Sequence, residues 1–234
     1  MLRRRKFYAD LMQRNNTHQK LYSTKACIVL LSLSMHKGQT QIRSYQKAIR
    51  LFWRELYSTG GKTLYSQQTF GPNKPEWINI EHIFPMAWVV NALKCKDRRD
   101  CRYNKEKFNF IESDLHNLYP SRRDLNMLRA SHRFGVVKGE IRAIGSYDFK
   151  VDAKNRIVEP AAASQGEVAR SMFHMSETYG FKIFTKQANT LAYWNKVDQP
   201  SKEEKRRNDL IELLQGTRNR FIDYPKEIEL ILKK

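Results

Sequence analysis

The chain has 234 residues, of which 41% are hydrophobic and 12% aromatic, so it can bury a sizeable core and is not a disordered chain. Its 43 basic and 24 acidic residues give a net charge of +19 at pH 7, which favours a polyanionic partner such as nucleic acid. Its three cysteines are too few for a scaffold built on disulfides.

The first 40 residues are predicted to form a basic segment that precedes a folded domain over 41–234. Residues 26–35, ACIVLLSLSM, are too few to span a membrane, but they match the hydrophobic part of a secretory signal with positive charge before it. The long preceding segment and the lack of an A-x-A cleavage site count in favour of a short buried helix instead. We expect no membrane span and a periplasmic or secreted protein.

In the first half of the domain, the pattern predicts one helix, two strands and a basic loop. They are a helix over 41–59 that ends at Gly60 and Gly61, strands over 62–70 and 78–88, the second limited by Pro85, and a loop over about 94–107. The loop contains Cys95 and Cys101. Their spacing suits either a small disulfide-closed loop or two free thiols, and a zinc site is disfavoured because no CxxC motif or nearby histidine pair completes it.

The second half is predicted to be mostly helical. The first part of residues 113–134 is predicted to lead into a helix, and the second part to form that helix. Residues 136–152 are predicted to form a loop with short strands. Further helices are expected over 164–180, with Ser164 and Glu167 as a capping box and Gly180 at the end, and over 185–197 and 203–221. This order indicates an α+β fold, mostly helical and in a single domain.

The chemistry centres on NIEHIFP at 79–85, which puts a carboxylate beside a histidine in a buried stretch. Phosphodiester hydrolysis at neutral pH needs a base, a cation and phosphate-binding donors. The imidazole of His82 suits the base, Glu81 suits a Mg²⁺ ligand, and Asn117 adds an amide oxygen without negative charge.

Adjacent side chains on a regular strand face opposite ways, so Glu81 and His82 can share one site only if the strand bends, bulges or ends there. The alternative is a purely structural Glu–His pair. The arginines of the predicted 113–134 helix, Arg122, Arg123 and Arg129, are expected to be exposed and to contact phosphates.

Two motifs carry a resemblance to a known family. EHIFPMAW at 81–88 and ESDLHNLYPS at 112–121 resemble the paired motifs of the bacterial endonuclease I family, periplasmic or secreted nonspecific nucleases with a ββα-metal (His-Me finger) site. EPAAASQGEVARSMFHM at 159–175 and TLAYWNKVDQP at 190–200 resemble its flanking elements. Two departures are the low cysteine count and Gln165, which stands one place before the family's usual glycine, where an arginine is typical.

The resemblance implies an endonuclease with a ββα core that cleaves DNA, and often RNA, to 5′-phosphate products. His82 would be the general base, and Glu81 and Asn117 would hold one Mg²⁺, which Mn²⁺ or Ca²⁺ can replace. Arg98 would steady the cleaved phosphate, with Arg99 as the next candidate at that position and a further nucleic-acid contact. We expect a monomer and no organic cofactor. The alternative is a catalytically silent, basic nucleic-acid-binding protein that retains the fold.

Overall fold

The computed structural model describes residues 41–138 and 147–232. The expected signal-like segment, and Cys27 within it, lie outside the described residues. Short sheets are embedded among helices, which confirms the predicted α+β class with mostly helical content. Within the described residues, no helix combines the length and the apolar character that a membrane crossing needs.

Up to residue 112, the described elements are four helices and three short strands. They are α1 (Tyr45–Leu51), which continues as one π-helical segment (Phe52–Leu56), β1 (Gly61–Lys62), β2 (Thr69–Phe70), β3 (Ile78–His82), α2 (Met86–Ala92), α3 (Arg98–Asn104) and α4 (Glu106–Glu112).

From residue 113 onward, four strands are followed by the longer helices. In order, the described elements are a 3₁₀ turn (Leu115–Asn117), β4 (Leu118–Arg122), α5 (Arg123–Arg129), β5 (Arg133–Phe134), β6 (Lys150–Asp152), β7 (Ile157–Glu159), α6 (Ala162–Tyr179), α7 (Thr185–Val197), α8 (Lys202–Gln215), α9 (Arg220–Asp223) and α10 (Glu227–Ile231).

The strand–strand–helix unit of β3, β4 and α5 positions the site. β3 and β4 are antiparallel, with Ile78 opposite Arg122 and His82 opposite Leu118. α5 begins directly after β4 and packs against both strands. β1 and β2 form a separate antiparallel pair, and β5, β7 and β6 form a three-stranded sheet in that order.

Three predictions before residue 110 are wrong. The strand over 78–88 ends at His82, and the chain from Met86 onward forms α2. The single strand over 62–70 is instead a tight pair of two-residue strands, because the chain reverses between them, where the Gln67 N–H bonds the Thr63 carbonyl at 2.9 Å. The loop over 94–107 is largely helical. The Asp97 side chain accepts from the Asp100 N–H at 2.8 Å and so caps the start of α3.

The segment 113–134 also departs from its prediction. Its first part is β4 rather than a prelude to a helix, because pairing with β3 satisfies its backbone and buries Leu118 and Tyr119. Only its second part, α5, is helical.

The last predicted helices agree better with the structure. α7 has the predicted bounds, and α6 ends at Gly180, whose φ of +76° suits glycine. α6 begins two residues early, so Ser164 lies inside it and donates to the Leu64 carbonyl rather than capping the helix. The predicted helix 203–221 is interrupted at Gly216, with φ of +74°, before α9.

Two apolar clusters fill the interior. The larger surrounds α6 and α7 and includes Met172, Leu191 and Trp194. The smaller joins α1 to α8 through Phe52 and Ile211. Cys95 and Cys101 are disulfide-bonded, with Cα atoms 5.4 Å apart, so of the two alternatives the closed loop is the one present.

Candidate active site

A cavity of about 390 Å³ opens where β3 ends beside α5. Its lining includes Glu81 and His82 from β3, Arg98 from α3, and Asn126 and Arg129 from α5. The two adjacent β3 residues can reach one cavity because the strand ends at His82 and its regular pairing with β4 stops there. The structure therefore brings together four of the side chains that the sequence singled out, Glu81, His82, Arg98 and Arg129.

Glu81 is buried and held by two donors. Its Oε1 accepts from the Tyr65 hydroxyl at 2.7 Å and lies 3.2 Å from Arg129 Nη1. Burial raises the pKa of Glu81, while the positive charge of Arg129 and the Tyr65 bond oppose the rise. Within residues 41–138 and 147–232, no other side chain donates to Oε2, so this oxygen is available to a ligand in the cavity.

His82 is held in one tautomer. Its Nε2 lies 3.0 Å from the Glu112 carbonyl oxygen, which can only accept, so Nε2 carries the proton and Nδ1 is the basic nitrogen. Burial, followed by the nearby charge of Arg98, lowers the pKa of His82 to about 4. The imidazole is therefore neutral at pH 7 and can accept a proton.

Asn117, the other metal ligand that the sequence predicts, is not among the residues that line this cavity. It is fully buried, and both ends of its amide are used. Oδ1 accepts from the Phe84 N–H at 2.6 Å, and Nδ2 donates to the Phe84 carbonyl at 3.1 Å. Asn117 therefore fixes the chain just after β3, and its Oδ1 is already engaged by the Phe84 N–H.

Asn126 is the asparagine that does line the cavity. Its Nδ2 donates to Asn79 Oδ1 at 3.0 Å and to the Ile80 carbonyl at 3.2 Å. These bonds orient the amide, and its Oδ1 makes no hydrogen bond within the part of the chain that the structure describes. A signal was present in the sequence: Asn126 and Arg129 are three residues apart, which puts both on one face of a helix.

Arg98 reaches the cavity from the disulfide-closed loop. Its Nε pairs with Glu112, whose other carboxylate oxygen binds Arg102 Nε at 2.7 Å. Arg98 Nη2 is buried without a hydrogen-bond partner. Because Glu112 also holds His82 through its backbone carbonyl, one residue orients both the histidine and the arginine.

Arg129 is 1% exposed, so the expectation that it is an exposed arginine is wrong. Its guanidinium donates to the carbonyls of His82, at 3.2 Å, and Ile83, and it stacks on the Phe134 ring at 4.7 Å. These contacts, together with the pairing to Glu81, make Arg129 a group that positions the end of β3.

The other predicted phosphate contacts lie nearer the surface. Arg122 is half-buried and paired with Asp124, with Nε 3.0 Å from Oδ1, so part of its donor capacity is used. Arg123 is exposed. Arg99 is also exposed, with its guanidinium 5.9 Å from the Tyr103 ring centre. Arg99 and Arg123 are therefore the members of the predicted set that a nucleic-acid strand can reach most directly.

A second cluster of potential metal ligands was missed from the sequence. Asp114, His116 and His174 are buried, and each offers a ligand atom within 4.8 Å of the others, which is close enough to hold a metal ion. However, the Asp114 carboxylate already accepts from Tyr179 at 2.8 Å and Gln215 at 2.8 Å. Imidazole ligands also suit zinc or another transition metal better than Mg²⁺.

Burial would raise the pKa of Asp114, but the His174 hydrogen bond and neighbouring groups outweigh it and hold that pKa below its usual range. Burial, and then His174, lower the pKa of His116 to about 3. The cluster therefore forms a buried polar network around the Asp114 carboxylate, next to β4.

Comparison with known proteins agrees with the resemblance. The family model described as Endonuclease I matches residues 9–226. Endonuclease-1 of Buchnera aphidicola subsp. Baizongia pistaciae is 34% identical over 211 residues, covering 80% of this chain and 83% of that protein. The periplasmic deoxyribonuclease of Aeromonas hydrophila is 32% identical over 155 residues, covering 64% and 65%. An extracellular ribonuclease of Bacillus amyloliquefaciens is 31% identical over 133 residues, covering 49% and 44%. The chain therefore belongs to the endonuclease I family of nucleases.

Proposed function

We propose that this chain is a Mg²⁺-dependent endonuclease that hydrolyses phosphodiester bonds of DNA, and of RNA as well, with little sequence preference. The relatives named deoxyribonuclease support the first substrate, and the relative named ribonuclease supports the second. The net charge of +19 supplies the attraction to a polyanion. Because phosphate contacts carry no sequence information, a surface of this kind suits nonspecific cleavage.

The observation that carries the proposal is the tautomer of His82. With Nε2 donating to the Glu112 carbonyl, Nδ1 is left unprotonated and would act as the base. It removes a proton from water, whose oxygen attacks the phosphorus. The bond from phosphorus to the 3′ oxygen breaks, that oxygen takes a proton from solvent, and the product strand keeps a 5′-phosphate.

The free oxygens of Glu81 and Asn126 fit one Mg²⁺. Mg²⁺ prefers oxygen ligands and often takes only one or two from the protein. When bound, it would supply the positive charge that stabilises the phosphate and the leaving oxygen. Asn126 replaces Asn117 in this assignment because its Oδ1 is free. Mn²⁺ and Ca²⁺ are the expected substitutes.

Three arginines support the same reaction from different places. Arg98 has an unpartnered Nη2 and would hold the cleaved phosphate. Arg99 and Arg123 are exposed and would bind flanking phosphates. Residence in the periplasm or outside the cell is supported by the names of the Aeromonas relatives and by the Cys95–Cys101 disulfide, which is typical of oxidising compartments.

The test is cleavage of supercoiled plasmid by the purified full-length chain, with Mg²⁺ or with EDTA. We expect nicking and degradation only with the metal, and we expect DNA ligase to reseal early nicks because they carry 5′-phosphates. A matched RNA substrate tests the second activity. If DNA binding persists but neither Mg²⁺, Mn²⁺ nor Ca²⁺ supports cleavage, the chain is a binding protein and the proposal fails.

A further inference from the structure

A second cavity, of about 300 Å³, lies between β5 and the start of α7, and we call it the α7 cavity. The lining residues used below are Arg133, Lys138, Phe184, Lys186 and Gln187. None of them belongs to the site described above. Their chemistry combines an aromatic ring, an amide and three positive charges in one small space.

Gln187 is the unusual member of this lining. The residue is 3% exposed, and both Nε2 and Oε1 are buried without a hydrogen-bond partner. Buried polar groups in native proteins are almost always paired, so an amide with neither end satisfied points to a missing ligand. An amide places a donor and an acceptor side by side, which matches the paired acceptor and donor on the edge of a nucleobase.

Phe184 stands at the other end of the first turn of α7. Its side chain is 78% exposed, although an aromatic ring of this size normally contributes to the core. An exposed flat ring on a nucleic-acid-binding protein is the common platform on which an unpaired base stacks. Phe184 directly precedes α7 and lines the same cavity as Gln187, so a single base in that cavity is within reach of both.

The charges around the α7 cavity fit the backbone of the same ligand. Arg133, Lys138 and Lys186 are exposed, and among the described residues none of them forms an ion pair. Three unpaired cations beside an aromatic ring favour an anion with an apolar planar part. A nucleotide within a strand has this combination.

The α7 cavity is also close to the candidate active site. Ser131 lines the active-site cavity and Arg133 lines the α7 cavity. Two residues of extended chain span at most about 7 Å, so the two cavities are within reach of neighbouring nucleotides of one strand.

We propose that the α7 cavity binds an unpaired nucleobase of the nucleic-acid strand, stacked on Phe184 and hydrogen-bonded to Gln187. The inference rests on the proposed function in taking the substrate strand as the occupant. It adds a preference that the active site does not supply: affinity for single-stranded over double-stranded segments, since a paired base cannot enter the cavity.

The test is binding of a short fluorescent single-stranded oligonucleotide to the full-length chain in EDTA, where cleavage is not expected. Phe184→Ala should weaken binding roughly 5- to 100-fold, the range typical of one base–aromatic stack. Tyr193→Ala is the matched control, because Tyr193 is 63% exposed on the same helix but does not line the cavity. It should leave binding unchanged.

An abasic oligonucleotide separates base binding from phosphate binding. It should bind the wild-type chain more weakly than the normal oligonucleotide does, and Phe184→Ala should not weaken it further. The proposal would be overturned if Phe184→Ala bound the normal oligonucleotide as tightly as the wild type does. It would also be overturned if Tyr193→Ala lost as much affinity for that oligonucleotide as Phe184→Ala does. The DNA and RNA forms of the oligonucleotide should behave alike, because the ring stacks on either.

Gln187→Leu supplies a second readout that a structural role would not give. Replacing a buried, unpartnered amide with an apolar side chain should leave the melting temperature unchanged or raise it, while the affinity for single strands falls. A lower melting temperature with unchanged affinity would show that Gln187 is a packing residue and would overturn its assignment as a hydrogen-bond partner of the base. If oligonucleotide binding behaves as expected but Mg²⁺ supports no cleavage, the proposed function fails and the base-binding site stands.

Discussion

Asn117 and Asn126 differ in what their amides contact, and this difference gives each a different role. We expect Asn126→Ala to raise the Mg²⁺ concentration needed for half-maximal cleavage and, because it removes only two partly buried hydrogen bonds, to lower the melting temperature less than Asn117→Ala does. Asn117→Ala should instead lower the free energy of unfolding by about 2–5 kcal/mol, because it leaves the buried N–H and carbonyl of Phe84 unpaired.

Metal titrations of plasmid cleavage and urea unfolding measure the two effects. If Asn117→Ala folds with wild-type stability but needs a higher Mg²⁺ concentration for half-maximal cleavage, Asn117 is the ligand and the assignment to Asn126 is wrong.

The sequence predicted Glu81 and His82 as site residues because an acid beside a base is unusual in a buried stretch. It did not predict Asn126 as a ligand. Asn117 is as polar as Asn126 and lies within the ESDLHNLYPS motif at 112–121. Only the folded chain reveals that its amide is bonded to the backbone of Phe84. Arg129 was misjudged for a related reason: arginine is rarely buried, and here the carbonyls at the end of β3 satisfy it.

His116 makes stability depend on pH. Its folded-state pKa is about 3, against an ordinary value of about 6.5, so between these values the unfolded chain binds a proton that the folded chain does not. The stabilisation is complete above pH 6.5 and is lost as the pH falls toward 3, by on the order of 1.4 kcal/mol per pH unit.

Urea unfolding in EDTA at pH 7 and pH 5 measures this loss. His116→Gln, which cannot titrate, should show a smaller decrease between the two pH values than the wild type. An equal decrease in both proteins would mean that His116 titrates normally in the folded chain.

The long helices are joined by a buried ion pair. Arg170 on α6 donates to Glu204 on α8 through Nε at 2.6 Å and Nη2 at 2.7 Å, and Nη1 reaches the Asp198 carbonyl at 2.7 Å. Arg170→Ala should lower the free energy of unfolding by about 3–5 kcal/mol, because it leaves Glu204 buried and unpaired.

Arg206→Ala is the matched control for that variant, since Arg206 pairs with Glu203 at the surface of α8. Urea unfolding measures both variants, and the removal of Arg206 should lower the free energy of unfolding by less than about 1 kcal/mol. Similar losses in the two variants would mean that the buried pair contributes no more than a surface one.

At the scale of the element, prediction succeeded where the signal is local. The bounds of α7 follow from its periodicity, and the end of α6 follows from Gly180. Prediction failed where distant pairing decides the structure. β4 forms because it pairs with β3, some forty residues earlier in the sequence. α3 and α4 are helices of only 7 residues each, and their many charges made this segment look like a loop.

At the scale of the whole molecule, the net charge predicts that nucleic-acid binding depends strongly on salt. In EDTA, the logarithm of the affinity should fall linearly with the logarithm of salt concentration. Arg99→Ala and Arg123→Ala should each reduce that slope by about 1 if each contacts one phosphate. Arg206→Ala, which removes the same charge from a different helix, should not reduce it. A slope unchanged by all three would exclude Arg99 and Arg123 as phosphate contacts.

The family and the α+β class were both predictable, because motifs and the order of elements are read directly along the chain. The docking of α6 against α8, and the two cavities that share the segment 126–136, were not. They depend on buried polar contacts, such as those of Arg129 and Arg170, that no local pattern encodes.

The most direct test of the central claim is plasmid cleavage in Mg²⁺ by His82→Ala, beside His132→Ala as a histidine outside the active-site cavity. General-base catalysis contributes roughly 10²- to 10⁴-fold, so His82→Ala should lose about that much activity while binding DNA in EDTA like the wild type. His132→Ala should cleave normally. Cleavage by His82→Ala at the wild-type rate would contradict the assignment of His82 as the base.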